Sequence, residues 1–329
     1  MNVAIRADGG QKLGYGHLIR TETVAIEALS AGDDVYYVTT TPSAVAEVVD
    51  ERVEIIPIRK EAQRSDTIDA IQRQSLDAIL VDTFDADTDF QTVLSETDVT
   101  VAVKQNYRNL TVCCDLLVYG DIFAPDLKYR WLGPKPRFRL GLDYLLLRTE
   151  FKEVAQSHRW EETVDSALIT MGGSDVADLT PTVMEAFEGF DGSVRVIIGP
   201  GFSNVTDIER SSRRLEGDFE LLRNPEQISR LMSDADIAVT AFGTTSYELA
   251  ATGTPFVGIP VVENQMDRAA ALENRGLALV PNSVADLRDA VQRLSSVTSV
   301  RKRLYQSLDG LIDGRGAQRV YGELVELSR

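Results

Sequence analysis

The segment Val3-Ala4-Ile5-Arg6-Ala7-Asp8-Gly9-Gly10-Gln11-Lys12-Leu13-Gly14-Tyr15-Gly16-His17-Leu18-Ile19-Arg20 decides the fold. Its apolar start, Val3-Ala4-Ile5, reads as a first β-strand. Beyond it Leu18, Val24, Ala25, Ile26 and Leu29 crowd one face of a helix that ends at Gly32. The loop therefore runs from the carboxyl end of a strand to the amino end of a helix, where α/β sheets open a crevice for ligands. Its glycines let the backbone turn sharply and approach a ligand, and helix-terminal N–H groups attract anions. His17, one of two histidines, falls in the helix's first turn and is the candidate catalytic base. The competing reading of a helix-terminal histidine is a solvated surface residue. The glycine spacing matches neither G-x-G-x-x-G nor the triphosphate-binding loop.

Outward from this loop, strand and helix signals alternate. Val35–Val38, Val53–Ile58, Ala78–Asp82, Val99–Val103 and Asp115–Val118 read as strands, with a helix over Ile68–Gln74. Such alternation implies parallel pairing with crossover helices. A short run at Arg137–Leu147 follows, then a polar helix over Arg148–Trp160. The boundary falls there, giving domains 1–148 and 149–329. The second half restarts with Ser166–Thr170 running into Met171-Gly172-Gly173-Ser174-Asp175, and its helix is expected near Val176. Strands at Val194–Ile198, Phe219–Leu222, Ile237–Thr240 and Phe256–Ile259 come next. Helices at Val284–Leu294, Val300–Leu311 and Ala317–Leu327 close the chain. The fold class is thus α/β, with two Rossmann-like domains facing across a cleft.

Composition excludes several classes. The chain has 329 residues and a net charge of −17, which argues against nucleic acid, whose phosphates need clustered Lys and Arg. No apolar run approaches membrane-spanning length, so no membrane insertion is expected. No amphipathic, basic face suited to a lipid acceptor stands out either. The amino terminus enters a strand at once, so no secretory signal is expected. The only cysteines, Cys113 and Cys114, are adjacent and suit reduced thiols, so a cytoplasmic location is expected. The acidic, lysine-poor composition suggests a protein adapted to concentrated salt, the bland alternative being an ordinary acidic enzyme.

One further turn has chemical content. Ala241-Phe242-Gly243-Thr244-Thr245-Ser246 precedes a helix, and its N–H groups and hydroxyls are suited to phosphate oxygens; N-capping explains the same residues equally well. Glu248, one turn on, is placed to accept hydrogen bonds from ribose hydroxyls. Asp85-Ala86-Asp87-Thr88-Asp89 carries the D-x-D spacing of metal-dependent glycosyltransferases. It sits where a helix should begin, however, and acids there favour the helix dipole. No histidine pair suggests zinc, and no G-x-S-x-G elbow is present. No metal or other cofactor is expected.

These residues resemble a known family. Arg6-x-Asp8 followed by Gly14-x-Gly16-His17-x-x-Arg20 is similar to the signature of the UDP-diacetamido-trideoxyhexose hydrolases of pseudaminic acid biosynthesis. The likeness continues through Gly141-Leu142-Asp143-Tyr144-Leu145-Leu146-Leu147-Arg148-Thr149-Glu150-Phe151, Met171–Asp175, Ser246-Tyr247-Glu248 and Asn264-Gln265, to Gly314-Arg315-Gly316-Ala317. It implies the GT-B architecture shared with the lipid-linked N-acetylglucosaminyltransferases of peptidoglycan synthesis, with UDP held mainly by the carboxyl-terminal domain. By it, Ile228 contacts uracil through its backbone and Glu248 the ribose. Gly173, Ser174, Gly243, Thr244 and Thr245 surround the pyrophosphate, and Asn264 and Gln265 lie near the sugar. Gly14 and Gly16 join the nucleotide set from the first loop.

The implied reaction is attack of water, activated by His17, at C1 of a UDP-acetamido-deoxy sugar, releasing UDP and the inverted sugar. Asp8 either orients His17 or holds a sugar hydroxyl. A GT-B glycosyltransferase using the same base on an acceptor hydroxyl is the first alternative, and a non-catalytic nucleotide-sugar sensor the second. The chain departs from the family in its amino-terminal half: Asp82-Thr83-Phe84 replaces Asp-His-Tyr, Lys104-Gln105-Asn106 replaces paired acids, and Tyr119-Gly120-Asp121 replaces Asn-x-Asn.

Overall fold

A computed structural model describes residues 1–10, 13–105 and 110–329. Gln11 and Lys12 of the first loop, and Asn106, lie outside the described residues. The chain divides into two compact units, one of residues Met1–Thr149 with Arg315–Arg329, the other of Glu150–Gly314.

The first unit carries β1 (Asn2–Ala7), β2 (Asp34–Thr39), β3 (Glu54–Pro57), β4 (Ala78–Asp82), β5 (Thr100–Lys104), β6 (Thr111–Val112), β7 (Leu116–Tyr119), β8 (Arg130–Trp131) and β9 (Arg137–Leu140). Seven of them form a parallel sheet in the order β3-β2-β1-β4-β5-β7-β9, and β6 pairs with β8 beside it. Because both faces are covered, the strands are almost continuously apolar. Ile5, Tyr37, Leu80, Ala102 and Val118 pack on one face against helix Gly16–Ser30 and the last helix, Gly316–Leu327. Ala4, Val38, Ile79, Val101 and Leu117 fill the other with Phe90 and Leu94. Each such Val, Leu or Ile contributes roughly 1.5–3 kcal/mol by leaving water.

The second unit repeats the plan with β10 (Ser166–Thr170), β11 (Ser193–Ile198), β12 (Asp218–Arg223), β13 (Ile237–Ala241) and β14 (Phe256–Ile259). Their parallel order is β12-β11-β10-β13-β14. In both sheets the first strand of the unit lies between its second and its fourth long strands. That is the point where strand order reverses and the carboxyl ends part to leave a crevice.

Several sequence expectations need correction. Residues 315–329 return to the first unit, although the sequence reading placed all of 149–329 together. Ala317, Val320 and Leu324 bury against that first sheet. Gly316 passes so close to Leu145 that an added Cβ would stand 2.1 Å from its carbonyl oxygen, and one on Gly120 would stand 2.5 Å from the Leu145 Cα. Leu145 and Gly316, one from each of two motif blocks, therefore pack together within the first unit.

The expected helix over Arg148–Trp160 spans only Glu150–Val154. Gln156 is left-handed at φ 59°, and its N–H reaches the Ala251 carbonyl at 2.8 Å, so the segment runs on as a strap. The helix expected near Val176 begins at Thr180. Asp87, the centre of the D-x-D run, caps helix Thr88–Ser95 by accepting from the Phe90 N–H at 2.8 Å, as the helix-start reading requires.

Finally, a basic and apolar face does exist. Residues 127–142 contain five cations and no acid, and Trp131 and Leu132 are exposed among them.

Candidate active site

In the first unit the loop after β1 is pinned before it reaches the helix. Gly10 and Gly14 form an antiparallel bridge, with the Gly10 N–H on the Gly14 carbonyl at 3.1 Å, and Gly14 has φ 77°, which a side chain would disfavour. Open space surrounds the α-carbons of Gly14 and Gly16 where a side chain would stand. The helix then starts at Gly16, and His17 turns inward towards the end of β4, strand neighbour of β1.

There the imidazole meets Asp82. Its Nδ1 lies 2.9 Å from the Asp82 Oδ1 and 3.0 Å from the Asp82 carbonyl oxygen. Arg20, one turn along the same helix, grips the same carboxylate through Nε at 2.5 Å and Nη2 at 2.6 Å. The Arg20 Nη2 is also 2.9 Å from the His17 Nδ1. Two acceptor oxygens outweigh one donor here, so the Nδ1 proton is assigned to Asp82, which leaves Nε2 with the lone pair. Burial alone would raise the Asp82 carboxyl. The Arg20 charge, the His17 and Arg20 hydrogen bonds and Lys104 carry it instead well below the usual carboxylate range. Phe84 closes the group, its ring edge-on to His17 at 4.5 Å and half exposed.

Asp8 does not orient His17. Its Oδ2 takes the buried Arg6 Nη1 at 2.7 Å, and its Oδ1 accepts from the Thr39 hydroxyl and from the Thr40 N–H and hydroxyl. Burial would raise this carboxyl too, but the Arg6 charge and the Thr40 N–H hold it low. Asp8 thus ties the loop after β1 to the β2 side, while His17 reaches the β4 side. The orienting carboxylate, Asp82, was missed as a partner; its signal was the end of the fourth strand, which lies beside the first.

In the second unit the loops after β10 and β13 meet. A Cβ on Gly172 would lie 3.5 Å from the Thr245 hydroxyl, and the Gly201 N–H donates to the Gly173 carbonyl at 2.9 Å. Gly173 and Gly243 have open space at the position of an added side chain. Helix Thr244–Thr252 begins at Gly243 with no side-chain cap, and the Ser246 hydroxyl bonds back to the Gly243 carbonyl at 2.8 Å. The capping reading of Thr244 and Thr245 is therefore not what the structure forms. Glu248 is buried at 7% exposure on the same helix. Ser174 is exposed, but its neighbour Asp175 is structural, clasping the N–H groups of Leu179 and Thr180 and the Asn204 amide.

Ile228 opens a short helix whose next N–H, that of Ser229, donates to the Glu150 Oε2 at 3.3 Å. Asn264 is exposed within the turn Glu263–Gln265, and the Gln265 Oε1 accepts from the Val261 N–H at 2.9 Å. Arg268 went unnoticed in the sequence. Its guanidinium lies over Tyr247 at 4.7 Å and donates to the Phe242 carbonyl at 2.8 Å, bringing a cation to the Gly243–Thr245 loop.

Comparison with known proteins places this geometry. No family model matches the chain. It is 25% identical over 99% of its length, and 98% of the relative's, to the spore coat polysaccharide biosynthesis protein SpsG of Bacillus subtilis. It is 22% identical, over 84% of its length and 97% of the relative's, to the UDP-2,4-diacetamido-2,4,6-trideoxy-beta-L-altropyranose hydrolase of Campylobacter jejuni. Among solved structures it superposes on MurG of Acinetobacter baumannii with a TM-score of 0.72 over 99% of both chains at 12% identity. The fold is GT-B, and the chain is a relative of nucleotide-sugar proteins of sugar biosynthesis.

Proposed function

We propose that this chain hydrolyses a UDP-activated acetamido-deoxy sugar. Water gives a proton to the His17 Nε2 and attacks C1; the bond from C1 to the diphosphate oxygen breaks, and UDP leaves with its electron pair. The sugar is freed with inverted configuration. The observation that carries the reading is the His17–Asp82 pair at the crevice of the first sheet. An imidazole held by a carboxylate on one nitrogen is a base on the other, and the carboxylate stabilises the imidazolium that forms. Arg20 and Asp82 act as positioning residues. Similarity to the Campylobacter hydrolase over most of the chain supports the choice of substrate class.

The second unit takes the nucleotide in this reading. Ile228 faces uracil through its backbone, and Glu248 the ribose hydroxyls. The N–H groups and hydroxyls of Gly173, Ser174 and Gly243–Thr245, with Arg268 behind them, stabilise charge developing on the diphosphate. Asn264 and Gln265 address the sugar, and the open backbone at Gly14 and Gly16 approaches the substrate from the catalytic loop. A nucleotide-sugar substrate fits activity in the cytoplasm.

Transfer to an acceptor hydroxyl is the second reading. It is favoured by Phe84, whose ring beside His17 has no hydroxyl with which to hold a water. Incubation with UDP-acetamido sugars without acceptor, following free UDP, separates the two. Steady release supports hydrolysis; tight binding without release supports transfer or a non-catalytic sensor.

A further inference from the structure

Beside the first sheet, the segment from β8 to β9 carries a feature the reaction does not use. Between β8 and the start of β9 the chain turns through Gly133 and Pro134, and it presents Trp131 and Leu132 at 39% and 49% exposure. Trp131 rests edge-on against Phe138 at 5.8 Å, and the Leu132 N–H is fixed to the Val112 carbonyl at 2.8 Å, so the apolar tip is held out by a built support. Lys128, Arg130 and Lys135 are exposed around it, with the Lys135 ammonium 5.8 Å from the Trp131 ring. The remaining cations, Arg137 and Arg139, are engaged by Glu323.

We infer that this tip docks the protein on the surface of an anionic lipid bilayer. Tryptophan and leucine with a collar of lysine and arginine match the headgroup boundary, where an amphipathic ring and a cation are both satisfied. A chain of net charge −17 is repelled by such a surface as a whole. Charges beyond a Debye length are screened, however, and 127–142 holds no acid, so the contact is local. The three outer cations of the tip lack ion pairs among the described residues. That suits a diffuse array of headgroups better than the fixed charges of a folded partner. The contact is peripheral, as no helix of the described residues is long and apolar enough to cross a membrane.

The chain has two tryptophans, so Trp160→Phe leaves Trp131 as the sole reporter. With vesicles of phosphatidylcholine and phosphatidylglycerol, this variant and the unmodified protein should co-sediment. Trp131 emission should shift to the blue and be protected from a soluble quencher. Lys128→Glu/Arg130→Glu/Lys135→Glu should weaken binding about tenfold or more, and Trp131→Ala/Leu132→Ala likewise, with turnover of a soluble nucleotide sugar unchanged. Absence of binding, equal binding to pure phosphatidylcholine, or binding without a Trp131 response would overturn the inference. So would an equal Trp131 response to soluble polyglutamate, which would assign the tip to an acidic protein.

Discussion

The Nδ1 of His17, in the first turn of the first helix, lies 2.9 Å from the Oδ1 of Asp82, the last residue of β4. Sixty-five residues apart in sequence, they meet because β1 and β4 are neighbours at the switch point of the sheet. His17→Asn should keep UDP affinity and lower turnover by about a hundredfold or more. Unchanged turnover in the folded variant would remove His17 from the chemistry.

Asp82→Asn probes the other half of the pair. It abolishes the charge that favours the imidazolium and lets the wrong tautomer form, so turnover should fall by about a hundredfold to ten-thousandfold. The fully buried carboxylate also neutralises Arg20, and loss of that partner should cost roughly 3–5 kcal/mol of stability. Activity per folded molecule, with melting followed in parallel, separates the two effects. Because Arg20 and His17 hold the folded-state Asp82 carboxyl far below the usual range, its contribution to stability should be full above the ordinary carboxylate range and be lost progressively as pH falls from there towards that low value.

How much of this was legible in the sequence depends on range. The limits of β4, β10 and β14 were readable to the residue, because buried parallel strands are short apolar runs between polar breaks. Asp8 was read, from nearness in the loop, as either orienting His17 or holding a sugar hydroxyl; it follows β1 on the side of Thr39 and Thr40, away from the imidazole. Which strand neighbours β1 is a matter of topology that no local pattern encodes. A closing helix at Ala317–Leu327 was expected, yet its apolar face fits either sheet in principle. The close pass of Gly316 over Leu145, the burial of Ala317, Val320 and Leu324, and the Glu323 bonds to Arg137 and Arg139 fix it to the first. The cations of 127–139 were diluted by an acidic composition and became a face only when folded.

That close pass makes a test. Gly316→Ala places a methyl 2.1 Å from the Leu145 oxygen, and backbone must shift to admit it. Stability should fall by about 1–3 kcal/mol, as overpacking does, read as a lower denaturation midpoint. An unchanged midpoint would mean that the last helix is not seated as described.

Glu22 gives a pH signature of another sign. Burial, with Asp50 nearby, raises its carboxyl to about 7 in the folded protein. The folded state then binds a proton that the unfolded chain has released, so this group lowers stability as pH rises from the ordinary glutamate range towards about 7. Glu22→Gln should raise the melting temperature at about pH 8 and leave it little changed at about pH 4. Equal gains at both values would point to a cause other than titration.

For the nucleotide, Glu248→Ala should weaken UDP binding by roughly 1–3 kcal/mol, measured by calorimetry. Equal affinity would mean that helix Thr244–Thr252 is only a structural element of the second unit.

The central claim, water attack at the sugar carbon, is tested most directly by isotope. With a UDP-acetamido sugar turned over in water enriched in the heavy oxygen isotope, the label should enter the sugar at C1 and be absent from UDP. The first anomer seen by NMR should be inverted. Label in the phosphate, with release of UMP and sugar phosphate, would contradict the account.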